Sequence, residues 1–176
     1  MRILFFTFFL IALCLSSAYA KEDMALATVI NNKGETIGSV HIVQATKGVL
    51  LDVNINGLPT GTHGFHIHSV GDCSDHEHFK AAAGHIKGDG TAHGLMNPNG
   101  PEAGDLPNLI VGESGTVALE LYAPDLVIYD RTGHAKNILM DDDGSAFMIH
   151  ADPDDHMTQP IGGAGARIAC GVIKEQ

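Results

Sequence analysis

Histidine is the residue type with the clearest chemical potential in this sequence, with 11 copies among 176 residues. His66 and His68 lie two positions apart in the segment 64–68, which alternates like a β-strand. Successive side chains of a strand point to opposite faces, so both imidazoles share one face while Phe65 and Ile67 share the other. Imidazole is the commonest metal ligand among side chains, and two such rings on one face can bind a single metal ion.

An isolated pair of alternating histidines is a weak signal, because two surface histidines give the same pattern. Further candidate ligands strengthen the metal interpretation, and they are His85, His93, Asp105 and His150. The elements that position these side chains therefore decide between a metal site and a set of unrelated surface residues.

The charge balance excludes one large class of partner. The chain has 10 Lys and Arg residues against 21 Asp and Glu residues, a formal net charge of −11. Nothing in the sequence forms the basic face that binds phosphate groups, so a nucleic acid partner is not expected. With 44% hydrophobic and 18% charged residues, the chain can form a packed core, and its length corresponds to one domain.

The N-terminal segment has the pattern of a secretory signal peptide. A positive start at Met1-Arg2 is followed by an apolar run over residues 3–15 and by the cleavage pattern Ala-Tyr-Ala at 18–20. The apolar run is short for a bilayer span, which takes about 20 residues. We therefore predict a signal peptide over residues 1–20, a single domain over 21–176, no membrane attachment after cleavage, and a periplasmic or secreted location.

Two of the three cysteines, Cys73 and Cys170, remain after cleavage. An even pair in an oxidising compartment is typical of one disulfide. The two positions are 97 residues apart, so the bond would restrain the unfolded chain by roughly 4 to 5 kcal/mol in the chain-entropy model. Two separate thiols are the less favoured alternative outside the cytosol.

Short alternating segments indicate a β-sheet protein. In residues 49–55 every odd position is apolar, whereas Asp52 and Asn54 fall on the other face, as in a half-buried strand. Similar segments occur at 25–30, 36–43, 116–121 and 146–150, with turn signals between them. Residues 69–110 and 151–165 lack this rhythm. We predict an all-β sandwich or barrel with a long loop, ordered by metal and disulfide, and a second irregular segment.

Several separate motifs, in order along the chain, resemble the copper/zinc superoxide dismutases of the bacterial secreted type. The resemblance covers nearly all of residues 21–176 and rests on Gly64-Phe65-His66-Ile67-His68, Gly71-Asp72-Cys73, the His85 to His93 spacing of eight, Gly104-Asp105-Leu106-Pro107, Met148-Ile149-His150 and residues 165–173. It implies a Greek-key β-sandwich or flattened barrel of about eight antiparallel strands. It also implies a long metal-binding loop and a second active-site loop.

The resemblance implies a ligand set, position by position. The residues that match the family's copper ligands are His66, His68, His85 and His150. His85 also matches the histidine that bridges copper to zinc, which is possible because both ring nitrogens of an imidazole can bind metal. His85, His93 and Asp105 match zinc ligands.

Glu102 is the departure from the family pattern. The remaining zinc ligand of the family is a histidine three residues before the aspartate, and this sequence has Glu102 there. A carboxylate is a legitimate zinc ligand, so a set of two histidines, one aspartate and one glutamate is chemically sound. Alternatively, Glu102 points to solvent, and zinc is held by three side chains and water or is not bound.

Other polar residues receive roles from the same resemblance. Arg167 matches the arginine that draws superoxide to copper, although composition also allows a salt bridge at a strand end. Asp154 matches a carboxylate that joins a copper histidine to a zinc histidine by hydrogen bonds, with a loop-surface aspartate as the alternative. His63 matches a structural histidine. The histidines that match no ligand are expected to be surface or core residues, and they are His41, His76, His78, His134 and His156. For His76 and His78, accessory metal binding is the alternative.

The activity that the resemblance implies is dismutation of superoxide to oxygen and hydrogen peroxide, with copper and zinc as cofactors and Arg167 and His85 as catalytic residues. Two alternatives stay open. One is a periplasmic copper-binding or buffering protein on the same fold, and the other is a copper-only dismutase whose zinc site is weakened by Glu102. Superoxide is the expected substrate, and the assembly is a monomer or a homodimer.

Overall fold

The computed structural model describes residues 23–90 and 92–176, so the predicted signal peptide, residues 1–20, lies outside the described residues. Within the described part, nine strands and one short 3-10 helix follow one another. They are β1 (Met24–Asn31), β2 (Thr36–Gln44), β3 (Val49–Ile55), β4 (Gly61–His63), β5 (Phe65–His68), the 3-10 helix (Lys80–Ala82), β6 (Leu109–Val111), β7 (Val117–Ala123), β8 (Ala146–His150) and β9 (Arg167–Glu175). None of this described part forms a helix long and apolar enough to cross a membrane.

Seven strands form one sheet in the order β5-β8-β9-β1-β2-β3-β7, and β4 pairs with β6 in a separate two-stranded sheet. Each of these strand pairs is antiparallel. β9 returns from the end of the chain to lie beside β1 in the β1-β2-β3 meander, which is a Greek-key arrangement. Apolar side chains from across the large sheet belong to one buried cluster, so the sheet curls around a single core. The prediction of an all-β fold is confirmed.

β3 shows how the sequence pattern selects this structure. The odd residues from Val49 to Ile55 are buried in the core, whereas Asp52 and Asn54 are exposed. Burial of each large aliphatic side chain contributes about 1.5 to 3 kcal/mol. A shift of the pairing by one residue would turn the whole apolar set to solvent, so the alternation also fixes the register.

The two-stranded sheet differs from the sequence interpretation. β6 begins at Leu109, within the segment 69–110 that lacks strand periodicity. It pairs with β4 so that Val111 lies opposite Gly61 and Leu109 lies opposite His63. Each of these strands has three residues, which is too short for an alternating pattern to be recognised. Their pairing also joins positions far apart in sequence, so neither strand is evident from its local residues.

The predicted disulfide is confirmed. Cys73 and Cys170 are bonded, with their Cα atoms 5.9 Å apart. The bond lies in a small buried cluster with Phe79 and Met148. It ties the first part of the long loop to β9, next to the strands that carry the candidate metal ligands.

Candidate metal centre

β5 presents His66 and His68 on the face that points away from the core. Phe65 and Ile67 pack in the main hydrophobic cluster, and the alternation of the strand turns the two histidines to the opposite face. Both histidines are nevertheless fully buried, because the long loop covers them. A buried imidazole needs partners for its polar nitrogens, so the chemistry of the site depends on what the loop places there.

The long loop pairs with the free edge of β5. The N–H of Ile67 donates to the carbonyl of Gly104 at 2.8 Å, and the N–H of Ile86 donates to the carbonyl of Ile67 at 3.0 Å. Gly104 permits this approach, because a Cβ at its position would lie 2.2 Å from the Ile67 carbonyl oxygen. Two distant parts of the loop are therefore fixed against one strand.

This edge pairing sets the candidate ligands in opposed pairs. His85 lies across from His68, and Asp105 lies across from His66. The strand thus determines the spacing of four candidate ligands, although two of them come from a segment without regular structure.

His150 enters from β8, the strand paired with the other edge of β5. Its backbone N–H donates to the carbonyl of Gly64 at 2.9 Å. The register between β8 and β9 shifts here, so that Ile149 lies opposite Ala169 while His150 lies opposite Arg167. Such a bulge redirects the side chains at a strand end. This bulge places Arg167 beside His150.

Four imidazoles converge at the end of these strands. One nitrogen of each lies within 4.8 Å of the others in the group His66, His68, His85 and His150. The nitrogens that have no hydrogen-bond partner are His66 Nδ1, His68 Nε2, His85 Nε2 and His150 Nε2. Buried unpaired nitrogens are unfavourable unless an ion satisfies them. The group therefore fits a copper ion, for which imidazole is a suitable ligand.

The second nitrogen of three of these rings is held by a protein oxygen. His66 Nε2 lies 2.8 Å from a carboxylate oxygen of Asp154. His68 Nδ1 lies 2.9 Å from the carbonyl of Ala83, and His150 Nδ1 lies 3.2 Å from the carbonyl of Gly165. Such bonds fix the tautomer and the ring orientation, so the free nitrogens are aimed before a metal binds.

Burial makes these three rings neutral. Desolvation lowers the pKa of His66 to about 4, that of His68 to about 2 and that of His150 to about 3. Positive charge on neighbouring groups, such as His85 beside His66 and His68, lowers the pKa values further. Metal ions bind the neutral ring, so this half of the site is in its ligating form at neutral pH.

A second group adjoins the first through His85. His85 Nδ1 lies 3.1 Å from Asp105 Oδ1, and His93 Nδ1 lies 2.7 Å from the same oxygen. The other oxygen, Asp105 Oδ2, accepts the backbone N–H groups of Gly94 and Glu102 at 2.7 and 2.9 Å. These bonds orient the carboxylate so that Oδ1 faces both rings.

His66, His85, His93 and Asp105 also have ligand atoms within 4.8 Å of one another. However, His66 Nε2 is engaged by Asp154, and its free nitrogen faces the four-histidine group. The other three residues are therefore the members available to a second ion, and two nitrogens with one carboxylate oxygen suit zinc.

Glu102 is buried beside this second group and does not point to solvent, with 2% of the residue exposed. Glu102 does not belong to the group whose ligand atoms all lie within 4.8 Å of one another. Its Oε2 nevertheless lies 3.0 Å from His85 Nδ1. Oε2 makes no hydrogen bond, whereas Oε1 pairs with the ammonium group of Lys87. Oε2 thus faces the ring nitrogen that a second ion would bind, and it is placed to share that ion with His85.

The electrostatics of the second group are opposite to those of the first. Burial alone would lower the pKa of His93, but hydrogen bonds and charge from Asp105 and Asp154 outweigh it and raise that pKa to about 10. The pKa of His85 is also raised, because the effects of Asp105 and Glu102 exceed that of burial. In turn, His85 and His93 hold the pKa of Asp105 below its usual value despite burial, and His85 and Lys87 do the same for Glu102. The carboxylates are therefore balanced here by the protonated ring of His93, and they favour protonation of His85.

Comparisons with known proteins agree with this geometry. The family model described as copper/zinc superoxide dismutase (SODC) matches residues 36–173. The chain belongs to the copper/zinc superoxide dismutase family. A Cu-Zn superoxide dismutase from Caulobacter vibrioides is 44% identical over 151 residues, which cover 85% of each chain. One from Aquifex aeolicus, named Cu-Zn superoxide dismutase 2, is 40% identical and covers 92% of this chain and 93% of its own.

A solved structure of a superoxide dismutase-like protein from Bacillus subtilis shares this fold. It superposes with a TM-score of 0.76 at 37% sequence identity, covering 84% of this chain and 96% of that one. The strand arrangement described above is thus that of a known relative, over almost its full length.

In this member of the copper/zinc superoxide dismutase family, Asp154 joins the two groups. One carboxylate oxygen lies 2.8 Å from His66 Nε2, and the other lies 3.1 Å from His93 Nε2. Asp154 is 3% exposed, so it is not a loop-surface residue. A single side chain outside both ligand sets therefore orients one ring of each.

Arg167 forms hydrogen bonds to backbone carbonyls. Its Nη1 donates to Phe79 at 2.5 Å, and its Nη2 donates to Ala83 at 2.6 Å. The same Ala83 carbonyl is paired with His68 Nδ1. No carboxylate of residues 23–90 or 92–176 forms an ion pair with Arg167. Its charge contributes to the lowered pKa of His68 and His150, so the guanidinium acts on the four-histidine group.

Two supporting side chains were not singled out from the sequence. Asn108 clamps the backbone of Asp154, accepting its N–H at 2.9 Å and donating to its carbonyl at 2.8 Å. Gln159 clamps His93 in the same way, at 3.0 Å to its N–H and 2.8 Å to its carbonyl. Both are neutral amides in loops, and no spacing rule distinguishes them from ordinary surface amides.

The remaining histidines lie outside the two groups. His63 is buried and connects backbone carbonyls of Pro59 and His150 at 2.9 and 2.8 Å, which is a structural position. His76 and His78 are exposed on the long loop. His156 lies against the centre, since its backbone N–H donates to Asp154 at 2.6 Å.

Proposed function

We propose that this chain dismutates superoxide to oxygen and hydrogen peroxide at a copper ion that shares one histidine with a zinc ion. The copper ligands are His66, His68, His85 and His150, and the zinc ligands are His85, His93, Asp105 and Glu102. The observation that carries the proposal is the set of four buried, unpaired imidazole nitrogens in the first group. Family membership and named relatives at 40 to 44% identity support it.

Bound copper supplies one-electron redox chemistry between Cu(II) and Cu(I), so one superoxide is oxidised to oxygen while a second is reduced and takes up two protons to form hydrogen peroxide. A protein group beside copper can supply one of these protons. His85 is suited to this, because Nδ1 faces the carboxylates of the second group while Nε2 faces the first. Because Nε2 cannot hold a proton and a metal ion at once, His85 would carry this proton only while Nε2 is released from copper, and it would donate the proton as a general acid before binding the metal again.

Arg167 supplies the attraction for the substrate. Superoxide is an anion and the whole chain carries −11, so the average field repels it. A local positive group in a partly buried position can reverse this by focusing the field; superoxide dismutase is one of the systems from which that generalisation was drawn. The two carbonyls that hold the guanidinium keep it beside the histidines without neutralising it.

The second group has a structural and electrostatic role in the proposal. A zinc ion there would replace the protons that balance Asp105 and Glu102, and it would fix His85 from the side opposite to copper. It would also order the second half of the long loop, because His85, His93 and Asp105 are spread over residues 85–105. Asp154 connects the two sides, because it is hydrogen-bonded both to His93 and to His66.

The proposed compartment follows from the sequence and the disulfide. We infer cleavage after Ala20, a mature single domain over residues 21–176, and a periplasmic or secreted location without membrane attachment. The Cys73–Cys170 bond supports this, since such bonds persist in oxidising compartments. The mature protein acts as a monomer or a homodimer.

The direct test is the catalysed decay of superoxide by the mature, disulfide-intact protein loaded with copper and zinc, expressed as a rate per bound copper. We expect a value near the diffusion limit, around 10⁸ to 10⁹ M⁻¹s⁻¹. Full copper occupancy with no rate above uncatalysed decay would contradict the proposal and favour a copper-binding or buffering protein. Full activity with no zinc bound would instead favour a copper-only dismutase.

A further inference from the structure

Lys87 contacts the buried carboxylate of Glu102 from the solvent side. The ammonium group pairs with Glu102 Oε1. The Lys87 side chain is 72% exposed, whereas that of Glu102 is 2% exposed. The pair is therefore unlike an ordinary surface ion pair, because one member is desolvated and the other is not. Removing one of the two positive partners of a buried carboxylate costs more than breaking a surface pair, so Lys87 has a larger effect on Glu102 than a surface lysine would have.

The backbone fixes Lys87 in this position. The N–H of Ala103 donates to the carbonyl of Lys87 at 3.1 Å, and the N–H of Gly104 donates to the carbonyl of Ile86 at 2.9 Å. Residues 86–87 and 103–104 therefore run side by side. Since His85 and Asp105 directly flank these segments, Lys87 and Glu102 are placed with reference to two proposed zinc ligands.

The two oxygens of Glu102 have different surroundings. Oε1 is occupied by Lys87, whereas Oε2 is buried, makes no hydrogen bond and lies 3.0 Å from His85 Nδ1. A carboxylate held by one oxygen cannot rotate freely, so the other oxygen has a fixed direction. That direction is towards the nitrogen that a zinc ion would bind.

We propose that Lys87 is a positioning residue for the zinc site, holding Glu102 by Oε1 so that Oε2 serves as the fourth zinc ligand. Lys87 also supplies the positive charge that offsets the additional carboxylate in a position where the family has a neutral histidine. Glu102 thus supplies the ligand atom that a histidine supplies in the family, and Lys87 offsets the charge of Glu102. This inference rests on the zinc assignment in the proposed function.

The test is a zinc competition titration against a chromophoric chelator, using copper-loaded, disulfide-intact mature protein. Removal of a group that orients a metal ligand typically weakens metal binding 10- to 100-fold. We expect Lys87→Met to weaken zinc binding by about this factor and Lys87→Arg to retain most of the affinity. Lys136→Met is the matched control, because Lys136 forms an exposed pair with Asp89 at 2.8 Å, and its loss should leave zinc binding unchanged.

A second comparison separates positioning from general stabilisation. In a Glu102→His background, which restores the family ligand, Lys87→Met should no longer affect zinc binding. Cobalt(II), bound in place of zinc, provides a spectroscopic measure. Its d–d absorption should change in Glu102→Gln and in Lys87→Met but not in Lys136→Met.

Three outcomes would overturn the inference. They are an unchanged cobalt spectrum in Glu102→Gln, an equal effect of Lys87→Met with and without Glu102→His, and tighter zinc binding in Lys87→Met, which would mean that Lys87 withdraws the carboxylate from the metal. None of these readouts depends on superoxide turnover. Failure of the dismutase proposal would therefore appear in the decay assay, and failure of this inference would appear in the zinc and cobalt data.

Discussion

The two halves of the metal centre are built in different ways from a shared histidine. The proposed copper side takes His66, His68 and His150 from paired strands, and burial keeps these rings neutral. The proposed zinc side takes its residues from the long loop, and its carboxylates raise the pKa of His93 to about 10. One half is a desolvated set of neutral rings, and the other is a balanced set of charges.

This difference shows what each half needs in order to hold a metal. Neutral rings on strands are ready to bind without losing protons and without moving. The loop residues must exchange protons for the metal, and their geometry depends on hydrogen bonds such as those from Asn108 and Gln159. Changes on the copper side should therefore act on catalysis at constant fold, while changes on the zinc side should act on metal affinity and its pH dependence.

The largest expected effect is on the strand-built half. His66→Ala removes one proposed copper ligand from β5, so the rate of superoxide decay should fall to the uncatalysed rate, while far-ultraviolet circular dichroism should show that the fold is retained. His76→Ala is the control, since His76 is exposed and lies outside the ligand groups of the described residues. Retained activity in His66→Ala with full copper occupancy would refute the copper assignment.

Removal of the disulfide should destabilise the whole protein and the copper side in particular. In Cys73→Ser/Cys170→Ser, the free energy of unfolding should fall by about 2 to 5 kcal/mol in urea titrations, because the unfolded chain is released from a long loop. The bond anchors the part of the loop whose carbonyls, Phe79 and Ala83, hold Arg167. The rate of superoxide decay per bound copper should therefore fall by a larger factor than the association constant for zinc. The reverse order of effects would show that the disulfide supports the zinc side instead.

The pH dependence of metal binding should distinguish the halves. Because the pKa of His93 is raised to about 10, zinc must displace a proton at neutral pH, and its apparent affinity should fall about tenfold per displaced proton for each unit that the pH decreases. His66, His68 and His150, with pKa values of about 4, 2 and 3, carry no proton to displace above pH ~5. His85, whose pKa is raised, belongs to both ligand sets, so its proton does not distinguish the two ions, whereas the His93 proton belongs to the zinc side alone. Competition titrations between pH ~5.5 and ~7.5 should show a steeper slope for zinc than for copper. Equal slopes would contradict the electrostatic difference.

The smallest expected effect concerns the carbonyl that holds both His68 and Arg167. Ala83 has φ 60° and ψ −138°, a backbone conformation that favours glycine. Ala83→Gly should therefore raise the free energy of unfolding by about 1 kcal/mol and keep activity. Ala81→Gly, in the neighbouring 3-10 helix, should lower it by about 0.5 to 1 kcal/mol. A loss of stability in both variants would show that Ala83 is not strained.

The strand-built half could be predicted well from the sequence. Alternation at 49–55 and 64–68 indicates both the strands and the face on which His66 and His68 lie, because the period of a strand is a local property. The disulfide could also be predicted, since only two cysteines lie outside the predicted signal peptide.

The loop-built half could be predicted only in part. The ligand types at 85, 93 and 105 are evident from their spacing and the family resemblance. The burial of Glu102, its pairing with Lys87 and the amide clamps at Asn108 and Gln159 are not, because they arise from contacts between irregular segments that have no period. The strands β4 and β6 escaped prediction for a related reason, since three residues give no pattern.

The central claim is that two different metal ions share His85, one on each half of this centre. Anomalous diffraction at the copper and zinc absorption edges, from crystals of the metal-loaded protein, tests it directly. The account predicts copper among His66, His68, His85 and His150, and zinc among His85, His93, Asp105 and Glu102. A single ion in the centre, or zinc bound away from His85 Nδ1, would contradict it.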